Sequence, residues 1–197
     1  MLCLANKKEI RLAKTIYYTA VSLDGFIAGP NNAMDWLHTK RANNDHPFNY
    51  ESFINRVGAL CMGAATYRWI VDHHEGANRE WIYDQPSWVF THHPPTGETD
   101  PKLKFTQAQV AEVHTKMRQA AVDKDIWIVG GGDLAGQFHD AGLLDEIIVQ
   151  VGSVTLGRGK PLFPRRLTSP PLALVSVRQV GTGFAELRYR VPSHRAH

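Results

Sequence analysis

The chain is poor in cysteine, in charge of one sign and in long apolar runs, and each shortage excludes a class of protein. Cys3 and Cys61 are the only cysteines among 197 residues, too few for a disulfide framework and not spaced as metal ligands. Cys61 sits in an apolar run, where a thiol reads as buried and inert. Lysine and arginine number 22 against 19 aspartates and glutamates, a net charge of +3, and the basic residues are scattered, so no nucleic-acid footprint emerges. The neighbouring pairs His73–His74 and His92–His93 would point to opposite faces of an extended segment, and no metal is expected. No apolar stretch is long enough to span a bilayer. Residues 1–14, which carry Lys7, Lys8, Arg11 and Lys14, lack the uninterrupted apolar core of a secretory signal and read as a flexible lead-in. What remains is one cytoplasmic domain over residues 15–197, with a small molecule as its partner and neither nucleic acid nor membrane.

What is present is organised around Asp125 to Gly142. Ile126 to Val129 is a short apolar run suited to a buried strand, Gly130, Gly131 and Gly132 follow, and Asp133 to Phe138 reads as a helix closed by Gly142. Bare glycine backbone beside a helix start is a cradle for phosphate, because the free N–H groups and the dipole point at the anion. The alternative is that the glycines only make a sharp turn. The spacing Gly130-x-Gly132-x-x-Ala135 fits the dinucleotide fingerprint. That fold wants an acid about 20 residues on, where this chain has Gln150, Val151 and Gly152, so an ordinary dinucleotide fold is disfavoured.

Thr15 to Val21 reads as a central first strand, and the loop after it carries Phe26, Ile27, Met34 and Trp36, more apolar surface than a solvent loop needs. Pro47 to Arg56 reads as a helix with Phe48 and Phe53 inward and Glu51 outward. Gly58 to Met62 is a buried strand, and Gly63 to Tyr67 opens a second helix, giving a second anion-competent start. Ser87 to Phe90 and Lys104 to Thr106 are further strands. Thr106 and Gln109 predict a capping box for a helix from Gln107 to about Val122. Leu172–Val180 and Phe184–Val191 predict an antiparallel hairpin whose second strand buries Ala185, Leu187, Tyr189 and Val191 and wets Glu186, Arg188 and Arg190.

These motifs, in this order, resemble the dihydrofolate reductase-like family, and most of all the reductase domain of bacterial riboflavin-biosynthesis deaminase-reductases. The resemblance rests on Ala20-Val-Ser-Leu-Asp-Gly-Phe-Ile27 with Ala33-Met-Asp-Trp36, on Met62-Gly-Ala-Ala-Thr-Tyr67, on Val129-Gly-Gly-Gly-Asp-Leu134, and on Gly142-Leu-Leu-Asp-Glu146 leading to Leu156-Gly-Arg-Gly-Lys-Pro-Leu-Phe163. It implies an α/β fold with a mixed, mostly parallel central sheet flanked by helices and an antiparallel hairpin at the C-terminus. It also implies NADPH as cofactor: Ala20 and Ile27 against the nicotinamide, Gly63, Ala64, Ala65 and Thr66 on phosphate, Thr91 and His92 near the adenosine 2′-phosphate, and Val129, Gly130, Gly131, Gly132, Asp133 and Leu134 at the pyrophosphate. No zinc signature of a deaminase occurs.

The family usually has Gly-Arg where this chain has Gly63-Ala64, which leaves NADH open unless Arg68, His92 or His93 compensates. Asp45 and Glu51 are the candidates for a catalytic acid. Trp36, Phe53, Arg158 and Lys160 are the candidates on the substrate side, the last two for a phosphate. The resemblance implies reduction of a ribosylaminopyrimidine phosphate by hydride transfer to an imine or carbonyl carbon. Dihydrofolate reduction is the alternative reaction, and a non-catalytic nucleotide- or flavin-binding module the alternative of another kind. The C-terminal strands are expected to pair in a homodimer.

Overall fold

The first strand, β1 (Thr15–Ser22), runs through the middle of the molecule. The computed structural model describes residues 12–37, 50–73 and 81–192. After β1 come β2 (Phe26–Ala28), two short 3-10 turns, and the helix α1 (Tyr50–Ile54). The chain continues as β3 (Val57–Gly63), α2 (Ala64–His73), β4 (Ser87–Phe90), β5 (Leu103–Thr106), α3 (Val110–Ala121) and β6 (Asp125–Gly130). It closes with α4 (Gly132–Asp140), β7 (Glu146–Gly152), β8 (Lys160–Pro161), β9 (Ala173–Val180) and β10 (Phe184–Arg190).

Eight strands form one sheet in the order β5-β4-β3-β6-β1-β7-β10-β9, and β2 pairs with β8 in a small second sheet. Every pair from β5 to β7 is parallel. Only β10 runs against its neighbours β7 and β9. The expected mixed, mostly parallel sheet with a C-terminal hairpin is therefore what forms. Its central strands are apolar on both faces because helices cover both.

Alternate residues on a strand share a face, and this parity sorts the core. Tyr17, Cys61, Ile128 and Ile147 pack against Val113 and Met117 of α3 and Phe138 of α4. Ile16, Tyr18, Met62, Trp127 and Ile148 pack on the opposite side with Phe53 of α1 and Ile70 of α2. Trp81 and Tyr83 also belong to this second core. Phe53 is its keystone: its ring meets Tyr18 edge-on at 4.7 Å and Trp127 at 5.5 Å. Such pairs add about 0.5–1.5 kcal/mol each beyond burial.

Two expectations fail. The capping box does not form: α3 begins at Val110 with Gln109 as its N-cap and no side-chain cap bond. Thr106 Oγ1 accepts from the nearer Ala108 N–H instead, a tighter turn that uses up the cap oxygen. In β10 the expected facing holds only in part: Tyr189 and Val191 pack into the core under α3 and α4 and Arg190 is exposed, but Glu186 is covered. Glu186 is only 2% exposed while Ala185 is exposed, because the face of Glu186 and Arg188 is the one turned toward α1. Phe48 and Asp45 lie outside the described residues.

Candidate functional site

Strands β3 and β6 are parallel neighbours, so their C-terminal glycines arrive at one edge of the sheet. A Cβ built at Gly130 would stand 3.0 Å from Thr66 Oγ1 in the first turn of α2. Among the described residues a Cβ at Gly131 would meet only Ile27 Cδ1, at 3.8 Å, and one at Gly63 only the Gly131 nitrogen, at 4.0 Å. The structure thus brings Ile27, Gly63, Thr66, Gly130 and Gly131 together around bare backbone. The N-cap of α4, Gly131, makes no side-chain cap bond, so the helix start presents backbone donors. Ala64 and Ala65 lie in the same first turn of α2 as Thr66.

The other expected cofactor residues are spread around this edge. Thr91 and His92 follow β4, whose last residue Phe90 pairs with Gly63. His92 is exposed, and Thr91 Oγ1 is engaged with His93, accepting from its N–H at 3.1 Å and donating to its carbonyl at 3.2 Å. Ala20 is on β1 beside Gln150 of β7. Val129 packs into the core under α1. Leu134 points into the core under α3 and α4. Asp133 is exposed, accepting from Gln137 at 2.9 Å and Arg165 at 3.0 Å, and these two hydrogen bonds hold its carboxyl below the usual aspartate range. At Gly132 a Cβ would collide with the carbonyl oxygens of Leu162 and Pro161, so α4 can start here only as glycine against that loop.

The loop itself is stapled by Asp24, a residue the sequence reading did not single out. Its carboxylate accepts from the Ser22 hydroxyl and from the backbone N–H groups of Leu156 and Gly157. The Ser22 bond first, then the two amides, hold it in the ionised form. Leu162 N–H donates to Gly25 at 2.9 Å and Tyr17 to the Leu162 carbonyl at 3.1 Å, so the β1–β2 turn that carries Ile27 is fixed to the loop. The signal was local: an acid before Gly25, which has φ +89.

On the α1 face, Trp36 is buried over the end of β7, where a Cβ at Gly152 would approach its ring to 3.0 Å. Phe53 lines a cavity of about 220 Å³ beneath α1. Glu51 is exposed on α1, and Asp45 is outside the described residues. Arg158 and Lys160 are exposed, with Lys160 in β8 against β2. Sequence reasoning also missed a polar chain on the α1 face. Gln150 donates to the Tyr18 hydroxyl at 2.7 Å and to Glu186 at 3.4 Å, and Arg178 donates twice to Glu186, at 3.0 and 2.7 Å. Among the described residues no cluster of metal-ligating side chains occurs.

A model of the RibD C-terminal domain family matches residues 54–185. The uncharacterized protein YwjB of Bacillus subtilis (strain 168) is 31% identical over 169 residues, covering 85% of this chain and 92% of that one. YyaP of the same organism is 29% identical over 192 residues, 93% and 96% of the two chains. Among solved structures, a candidate riboflavin biosynthesis protein of Shewanella sp. PV-4 superposes with a TM-score of 0.74 at 24% identity, covering 91% of this chain and 99% of that one. The diaminohydroxyphosphoribosylaminopyrimidine deaminase/5-amino-6-(5-phosphoribosylamino)uracil reductase of Thermotoga maritima superposes with a TM-score of 0.61 at 16% identity, over 92% of this chain and 57% of that one. With the sheet order, the glycine edge and these matches in hand, the chain belongs to the RibD C-terminal domain family and has its dihydrofolate reductase-like fold.

Proposed function

We propose that this protein is an NADPH-dependent reductase acting on a phosphoribosylaminopyrimidine of the riboflavin type. The observation that carries the reading is the convergence of Gly63, Thr66, Gly130 and Gly131 beneath Ile27, in a chain of this family. The fit to the cofactor is chemical: bare backbone at two strand ends and an uncapped helix start accept a pyrophosphate. The same residues named from sequence would hold it, with Thr91 and His92 toward a 2′-phosphate and Asp133 ordering the turn through Arg165. When bound, the cofactor supplies the hydride.

The chain's own work is to bind, orient and exclude water. Trp36 and Phe53 wall the α1 face, and the Asp24 staple holds the turn that carries Ile27. An imine substrate brings its own proton, which suits a site whose expected acid Glu51 is exposed on α1. Ala64 removes a phosphate fork, and exposed Arg68 on α2 or His92 is the replacement that favours NADPH over NADH.

We place the protein in the cytoplasm, a reading supported by its free, buried Cys61 and by the absence of any described helix long and apolar enough to cross a membrane. A homodimer through the edge strand β9 completes the reading. Purified protein mixed with NADPH and 5-amino-6-(5-phosphoribosylamino)uracil is expected to consume the absorbance of the reduced nicotinamide. No consumption, together with no thermal shift from NADPH or NADH, overturns the proposal. A yellow chromophore retained on purification, without any NADPH effect, would move it to a flavin-binding module.

A further inference from the structure

Helix α4 carries Gly136 at its centre, where glycine costs helix stability relative to alanine. The space it leaves is filled. A Cβ there would stand 2.7 Å from Cζ of Arg165, so the guanidinium lies against the bare helix backbone. From that position Arg165 Nε donates to Asp140 at 2.7 Å and Nη1 to Asp133 at 3.0 Å, one carboxylate at each end of α4. Nη1 also donates to the Pro164 carbonyl at 2.9 Å, and the Arg165 backbone N–H to that of Phe163 at 2.8 Å. The side chain is 23% exposed, and the loop that carries it presses Pro161 and Leu162 on Gly132.

Asp133 is the residue this latch acts on. It stands in the first turn of α4, two residues after the N-cap Gly131. A carboxylate there ordinarily turns back on the unpaired N–H groups of its own helix, where the dipole favours it. Here no side chain caps the helix, because both oxygens are engaged elsewhere: Oδ2 accepts from Gln137 at 2.9 Å and Oδ1 from Arg165. Gln137 holds the carboxylate without changing its charge, whereas Arg165 cancels that charge. Without the guanidinium an ionised acid would stand beside the amides that an anion would use, repelling it and competing for the same donors. We propose that Arg165 is a positioning residue for an anion at the start of α4: it neutralises the Asp133 carboxylate and keeps it off the free N–H groups of the helix. The inference rests on the reductase reading for the identity of the anion, the pyrophosphate of the cofactor. It makes the Asp133 side chain a restrained competitor, and only its backbone N–H a donor.

The test is binding of NADPH and of inorganic pyrophosphate to the whole protein, by calorimetry at low salt and at about 1 M salt. Arg165→Gln is expected to weaken both about tenfold at low salt, the effect of a released unit charge beside a diphosphate at a protein surface. Its difference from the wild type is expected to shrink at high salt, where that charge is screened. Asp133→Asn alone is expected to bind no more weakly than the wild type. Asp133→Asn with Arg165→Gln is expected to return to within about threefold of it, which a strut broken at both ends would not do. Arg166→Gln, the same charge change at an exposed neighbour, is expected to match the wild type. Thermal unfolding verifies that each variant is folded. Arg165→Gln binding like the wild type, weaker binding in Asp133→Asn, a double variant as weak as Arg165→Gln, or a wild type that binds neither ligand overturns the inference. Pyrophosphate binding that follows Arg165 while NADPH does not bind sustains the inference and sinks the reductase reading. NADPH binding indifferent to Arg165 does the reverse.

Discussion

His114, half-buried on α3, shares a hydrogen bond of 2.9 Å with Thr15 Oγ1 at the start of β1. Burial first and then the Arg118 charge hold its imidazole below the ordinary histidine value, with Asp145 opposing. A folded pKa below the unfolded one means the unfolded chain binds more protons between the two. The contribution to stability is then complete above about pH 6.5 and is lost as pH falls toward the lowered value. His114→Gln is expected to flatten the fall of the thermal midpoint on going from about pH 7 to pH 5; an unchanged slope would mean the imidazole is not titrating there. Gly132 tests the glycine edge at the same scale. Gly132→Ala forces the backbone away from the Leu162 carbonyl and is expected to cost about 1–3 kcal/mol, read as a lower midpoint together with weaker NADPH binding. Glycines at Gly63 and Gly130–Gly132 were legible from sequence because their effect is local: a missing side chain bares the backbone in any fold. Glu186 and Arg188 were not, because whether a strand's charged face is wet depends on what another element lays over it.

At the scale of elements, α3 ends in a strained residue. Val122 has φ 55 and ψ −110 and is exposed. A β-branched side chain is disfavoured at positive φ. Val122→Gly is expected to raise stability by about 1 kcal/mol, which for a chain of this size is roughly 2–4 °C in thermal midpoint. A fall in midpoint would show that the turn is not strained. The strands of the main sheet were read within a residue or two of their bounds, since apolar runs closed by glycine and proline leave little choice, whereas the short pair β2 and β8 was read as loop. The start of α3 was misread because Thr106 and Gln109 fit the capping pattern while Thr106 bonded a nearer amide. The hairpin of β9 and β10 was found by its turn, and Tyr189, Val191 and Arg190 face as expected, yet Glu186 is covered and Ala185 exposed. Period-two alternation tells which residues share a face, but not which face is covered.

For the molecule as a whole, β9 is an edge strand with Leu174, Val175 and Val177 exposed at 56%, 52% and 59%. An unpaired edge with apolar side chains pairs readily with another chain, and a second copy is the proposed occupant. The wild type is expected to elute in size-exclusion chromatography with light scattering at twice the mass of one chain. Val177→Lys is expected to shift it toward the monomer, and a wild type already monomeric would end that proposal. The sequence by itself determined the order of the main elements and the two glycine turns, because periodicity, turn chemistry and backbone freedom act over a few neighbouring residues. Only the tertiary structure decided that Asp24 would staple residues 156–157, that Phe53 would lock α1 onto Trp127, and that Arg56, Arg178 and Arg188 would meet in one cavity. Those side chains are far apart in the chain, and only the stacking of β1, β7, β10 and α1 puts them within reach of one another.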